Sequence, residues 1–338
     1  MIKKSVLAVL ALALAVSASY AVTNDFKVIN GLKYNQTMFK AVPPQTYLQI
    51  SLGRAEQQVG GVENDVKATA LAVPSAFRPS EGGKVWVLDS GNLSLKLFIS
   101  DGKLEKLIRI DDMGKDVIDF AVASDGSFAF LNAEEGYVIF ADSEGRRVNE
   151  IEGLNRARSI EFSRKGDLLV DFPVMNAVLR FSTDGELIEQ NVCDASLSLF
   201  ESVQGLLYGL DIFDRTAKVY VRTSASPAEV RILAELPCVE IREDVAYGGG
   251  KIIGTDAAGN VYFWLMACDE AGCIYRERLY RASPEGKITG ELDILSMPDV
   301  SRELPRKLMV SPDGKVIGFH VEGKDYILSA WTIPDKAP

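Results

Sequence analysis

One short pattern recurs along most of this chain, and it limits the possible folds more than any other feature. An apolar strand runs to a glycine-bearing turn, a second apolar strand follows, and a polar residue ends it. The copies read ATALAVPSAFRPSEGGKVWVLD (68–89), VIDFAVASDGSFAFLN (117–132), ARSIEFSRKGDLLVD (157–171), SLSLFESVQGLLYGLD (196–211), DVAYGGGKIIGTD (244–256) and RKLMVSPDGKVIGFH (306–320). Their turn glycines, Gly83, Gly126, Gly166, Gly205, Gly250 and Gly314, step by 43, 40, 39, 45 and 64 residues. In the first three copies a second half-repeat follows, with strands hinged at Ser-Asp-Gly102, Ser-Glu-Gly145 and Thr-Asp-Gly185. Asp-Gly favours a hairpin because the turn needs a positive φ that glycine adopts at little cost. The fourth copy has Thr223-Ser-Ala-Ser-Pro227 instead, and the fifth carries an insertion before Ser-Pro-Glu-Gly286.

Four strands repeating every ~40–45 residues is the spacing of a β-propeller blade. A four-stranded twisted sheet has two apolar faces and two edges, and radial stacking covers both faces. The expected fold is therefore all-β, a six-bladed β-propeller of four-stranded antiparallel blades. The blades are placed at about 62–112, 113–153, 154–193, 194–237, 238–296 and 297–335. The stretch 62–73 could start a helix, but its β-branched residues and the repeat register favour a strand. The last copy ends too early for a fourth strand, so the ring should be closed by a strand from the N-terminal segment 22–61. Either FKVINGLKY (26–34) or TYLQISLGR (46–54) can supply it.

Residues 1–21 read as a secretory signal peptide. Lys3 and Lys4 precede an apolar run from Val6 to Val16, and Ser19-Tyr20-Ala21 makes a small-x-small cleavage site. The run is shorter than the ~20 residues of a membrane-spanning helix, and the site lacks the cysteine of a lipoprotein anchor. The expected location is periplasmic or extracellular. Export permits disulfides, and four cysteines allow three connectivities. Cys268 with Cys273, flanking a hairpin tip, and Cys193 with Cys238 is the favoured set. A four-thiolate metal site lacks the paired spacing it needs.

Thirty-seven Lys and Arg against 47 Asp and Glu give a net charge of −10. That balance argues against a nucleic-acid or anionic-membrane partner. His320 is the single histidine, which excludes sites with two histidine ligands and any serine or cysteine hydrolase not using His320 as base. Asp89, Asn132, Asp171, Asp211, Asp256 and His320 end equivalent strands, so they should form a polar, mostly acidic collar on one face of the ring. Calcium takes such oxygens, which makes the collar a candidate cation or polar-ligand site. The simpler reading has each Asp or Asn capping its own turn. His320 lacks an obvious nucleophile beside it and reads as a hydrogen-bonded structural residue. Trp86, Trp264 and Trp331 read as packing between blades, and Gly248-Gly249-Gly250 as a hairpin turn. Arg156, Arg158, Arg302 and Arg306 precede inner strands, where they either bind an acidic ligand or pair with carboxylates near the collar.

The half-repeats resemble NHL repeats. VWVLDSGNLSLKLFISDGKL (85–104) is similar to that family's pattern through Asp89, Asn92, Phe98 and Gly102, and NAVLRFSTDGEL (176–187) is similar to its second half. The resemblance spreads in degenerate form over about 65–335. It implies a propeller, in a family that spans protein-binding modules, RNA-binding modules and a few enzymes. The RNA-binding members present a basic face, and the zinc-dependent amidating lyases on this fold need several histidines. Calcium-dependent lactonases of the gluconolactonase and paraoxonase type resemble this chain in blade count alone. The leading expectation is an exported, non-catalytic binding scaffold that recognises an envelope or secreted protein, or a small polar ligand, through one face. A calcium-dependent hydrolase or lactonase with its site at the channel mouth is the alternative, with Asp211 and Asp256 as its first candidate residues. A sugar- or peptidoglycan-binding module is a third.

Overall fold

A computed structural model describes residues 26–29, 32–35, 41–60, 74–114, 116–192, 196–213, 215–222, 230–238, 243–295 and 308–336. The described residues form six blades of four antiparallel strands and contain no α-helix. Blade 1 comprises Ala76–Pro79, Val85–Asp89, Ser94–Phe98 and Leu104–Arg109, and blade 2 Val117–Val122, Phe128–Asn132, Tyr137–Ala141 and Arg147–Ile151. Blade 3 comprises Ser159–Phe162, Leu168–Phe172, Ala177–Phe181 and Leu187–Val192, and blade 4 Ser196–Glu201, Leu207–Phe213, Thr216–Arg222 and Val230–Pro237. Blade 5 comprises Val245–Thr255, Val261–Asp269, Cys273–Ala282 and Ile288–Asp293. The inner strands contact one another in sequence, and Leu308–Val310 of blade 6 meets Ala76–Pro79 of blade 1, so the ring is closed.

Burial follows position within the blade. Middle strands such as VWVLD and AVLRF are buried along their whole length, because a sheet covered on both faces has no reason to alternate. Outer strands such as RVNEI are largely exposed. Each blade interface holds its own apolar cluster, of which Trp86 against Phe128 (centroids 5.2 Å apart, edge to face) is one contact.

Blade 6 takes Leu308–Val310, Lys315–Glu322 and Asp325–Thr332 from the C-terminal part and its outer strand, Gln45–Ser51, from the N-terminal part. Asp325 to Ala330 pair antiparallel with Ser51 to Gln45, and Leu48 and Ile50 enter the cluster between blades 6 and 1. Closure thus uses the second of the two expected segments. The first forms a hairpin, Phe26–Ile29 and Leu32–Asn35, whose second arm pairs parallel with Cys273 and Ile274 of blade 5. Tyr34 fastens it by donating its hydroxyl to Glu277 Oε2 (2.9 Å).

Blade 5 departs from the expected register. Gly248-Gly249-Gly250 lies within a continuous eleven-residue strand, and the turn falls at Asp256–Asn260, around Gly259 at φ +83°. Glycine is present at position 250 for room: a Cβ there would meet Leu265 Cδ2 at 2.6 Å and Leu210 Cδ2 at 2.8 Å. A glycine inside a strand marks a close approach as readily as a turn marks itself. With Gly259 as the turn, the steps from Gly205 and to Gly314 even out at 54 and 55 residues.

Residues 1–21, the stretch 62–73, Cys193, Arg302 and Arg306 lie outside the described residues.

Candidate functional site

The ring has a collar face, where the second strands end, and a turn face opposite. Asp89 is fully buried and accepts from the backbone N–H of Gly60 (2.9 Å), the N–H and Nδ2 of Asn92, and Lys96 Nζ (2.8 Å). Asn132 accepts from Glu135 N–H (3.0 Å), and its Nδ2 lies 3.1 Å from the Tyr137 hydroxyl. Both therefore organise their own turns. Asp171 pairs with Arg158 at 2.6 Å, the second of the two roles expected of that arginine. Asp211 is exposed.

Asp256 does not belong to the collar. The register shift in blade 5 places it in the first turn, on the opposite face, where it accepts from Asn260 N–H (2.9 Å), Asn260 Nδ2 (2.8 Å) and the Tyr262 hydroxyl (3.0 Å). Burial and this carboxylate push the Tyr262 phenol up. His320 is half-buried, and its Nδ1 has no hydrogen-bond partner. Burial pushes its pKa below the ordinary histidine range, and Glu322 opposes the shift. The six residues do not converge, and among the described residues no three His, Cys, Asp or Glu side chains are grouped to hold a metal ion.

The disulfide between Cys268 and Cys273 is not formed. The hairpin pairs Cys268 with Ile274, and adjacent residues of a strand point to opposite faces, so the two sulfurs diverge. Cys238 is a buried free thiol; Cys193, its expected partner, is not described.

Sequence reading missed the charged cluster on the inner strands. Arg78, Asp119 and Glu161 come from blades 1, 2 and 3. Arg78 Nη2 donates to Asp119 Oδ1 at 2.7 Å, Arg78 Nε lies 3.6 Å from Glu161 Oε2, and Asp119 Oδ2 accepts the Ile160 N–H at 3.0 Å. The guanidinium also sits 5.0 Å from the centre of the Phe120 ring. The signal was available: each is the third residue of its inner strand, a charge within AFRP, VIDFAV and SIEF. Two cavities open beside the inner strands. One of about 190 Å³ on the collar side is lined by Arg158, Asp171, Ser198, Lys251 and Leu308 among others. One of about 240 Å³ on the turn side is lined by Arg78, Glu161, Arg164, Glu201 and Thr255 among others.

The turns joining second to third strands on the collar face divide into two kinds. Blades 1, 2, 5 and 6 carry Ser90-Gly91-Asn92, Glu134-Glu135-Gly136, Glu270-Ala271-Gly272 and Gly323-Lys324 there. Blade 3 has Pro173-Val174-Met175, and blade 4 ends its second strand with Ile212-Phe213. Val174 is 61% exposed, Met175 45% and Phe213 75%.

No family model matches the chain, and no curated protein matches it. Among solved structures, a member of the DUF4221 family from Bacteroides vulgatus is 10% identical, with 87% of this chain and 99% of that one covered at a TM-score of 0.51. Hydrazine synthase from Kuenenia stuttgartiensis is 15% identical, with 76% of each chain covered at a TM-score of 0.50. Virginiamycin B lyase from Staphylococcus aureus is 14% identical over 84% of this chain and 99% of that one, at a TM-score of 0.48. At such identities the likeness to the first two is one of fold, and the chain stands as a six-bladed β-propeller.

Proposed function

We propose that this protein is an exported recognition scaffold that binds an envelope or secreted protein through the collar face of blades 3 and 4. The observation that carries the reading is the exposure of Val174 and Met175 on the blade 3 turn and of Phe213 at the strand end beside the blade 4 turn, where the turns of the other four blades are polar. A turn that only reverses the chain gains nothing from an exposed Phe or Met, whereas an interface buries such side chains for about 1.5–3 kcal/mol each. The Arg158–Asp171 pair and Lys251 line the nearby cavity and offer charge for orientation. The NHL-like half-repeats support the same reading, since that family includes protein-binding modules, and residues 1–21 have the features of an export signal.

The test is co-purification from an envelope fraction with the wild-type protein and with Val174→Asp and Phe213→Asp. Each substitution should weaken retention of a specific partner at least tenfold while leaving thermal stability unchanged. Equal retention by both variants would remove the face from consideration. Esterase or lactonase turnover that requires calcium and disappears on chelation would favour the hydrolase instead.

A further inference from the structure

The interface between blades 3 and 4 is built unlike the other five. Among the described residues, each of the others holds eight or more buried apolar residues, whereas this one holds Leu169, Val178, Leu199 and Leu207. Polar side chains take the remaining space. Arg180, on the third strand of blade 3, meets Asp167 at 3.1 Å, Glu189 at 3.4 Å and Glu201 of blade 4 at 2.5 Å. Arg222, on the third strand of blade 4, is 5% exposed, and Asn191, on the outer strand of blade 3, is 4% exposed. These three line a cleft of about 280 Å³ together with Lys165, Ile188 and Leu206.

Asn191 Nδ2 is buried there without a hydrogen-bond partner. Buried amides are almost always paired, and an orphan one asks for an explanation. A leucine would fill the position without that penalty. We propose that the cleft between blades 3 and 4 binds a neutral, polyhydroxylated small molecule of about the size of one sugar ring, with Asn191 as a donor to it.

The chemistry of the lining selects this class. Lys165, Arg180 and Arg222 line the cleft with Asp167 and Glu189, and Glu201, outside the lining, pairs with Arg180, so three carboxylates offset three cations and leave no surplus charge to attract an ion. It offers donors and acceptors side by side, which suits hydroxyl groups, since each both donates and accepts. Ile188, Leu206 and Leu207 supply an apolar wall for the C–H face of a ring. The volume is close to the lower limit of ~300 Å³ for ligand clefts and excludes a long chain. The cleft is distinct from the collar-face turns, so this inference stands or falls apart from the recognition surface proposed above.

Saturation-transfer NMR with glucose, N-acetylglucosamine and myo-inositol at millimolar concentration tests it on the full chain. Wild type should show transfer from at least one of the three. Asn191→Leu should weaken that binding at least tenfold without lowering the thermal midpoint. Lys165→Ala, an exposed change at the rim, should weaken it about threefold. Absence of transfer from all three to the wild type, undiminished binding by Asn191→Leu, or binding of inorganic phosphate in their place would overturn the proposal.

Discussion

Arg78 places a guanidinium where three inner strands meet, and Asp119, which faces it, has no contact with solvent. Removing one member of a buried pair leaves the other charge without compensation, and this typically costs about 3–5 kcal/mol. Arg78→Met should therefore lower the urea-derived stability by that amount. Arg78→Met with Asp119→Leu should recover much of it, since an apolar pair of similar volume avoids the desolvation of both ions. If the single and double variants are equally unstable, the pair is not the source of the effect. His320 provides a second residue-scale expectation. Burial holds its folded pKa below the unfolded value of 6.5, so the unfolded chain binds more protons in the window between the two. The neutral imidazole's contribution is complete above 6.5 and is lost as pH falls through the folded value. His320→Leu should flatten the decline in thermal midpoint on acidification through this window, and an unchanged slope would show that other groups set it.

At the scale of elements, the outer strand of blade 6 is held by a full ladder and by two buried side chains, Leu48 and Ile50. Leu48→Ala should lower global stability by about 2–5 kcal/mol, the usual penalty for a large-to-small change in a core. A loosely attached leader would give almost no change in a denaturant titration. The blades were legible in the sequence because their hairpin turns repeat a physical requirement: the backbone needs a left-handed residue, and glycine answers it. The same sign misled in blade 5, where Gly250 is there because Leu265 and Leu210 leave no room for a side chain. One mistaken turn carried Asp256 to the wrong face. The collar suffered from a related ambiguity. Asp89 and Asn132 end their strands because a short oxygen-bearing side chain organises the next turn, a local cause that looks identical to a shared site when only spacing is read. The Arg78 cluster was hidden for the opposite reason: its members are 41 and 42 residues apart, and only the ring brings them together.

For the whole molecule, cohesion is uneven around the ring. Among the described residues, five interfaces hold eight or more buried apolar side chains each, and the one between blades 3 and 4 holds four, with the Arg180 ion pairs and a cleft beside them. The Arg180–Glu201 pair that crosses this seam is buried, and a buried pair spends most of its attraction on desolvation, so this seam should open before the others. Hydrogen exchange should be faster in Ser196–Glu201 than in the inner strands of blades 1 and 2. Uniform protection of all six inner strands would contradict it.

Because the outermost strand of the final blade, Gln45–Ser51, precedes the first blade in the chain, it has to wait for Asp325–Ala330, on the far side of all the other blades. Until residues 325–332 have emerged, the early segment has no mate and the earlier sectors form only an arc with bare ends. A truncation that removes Asp325–Thr332 would leave Gln45–Ser51 without its partner and the last blade with half its strands.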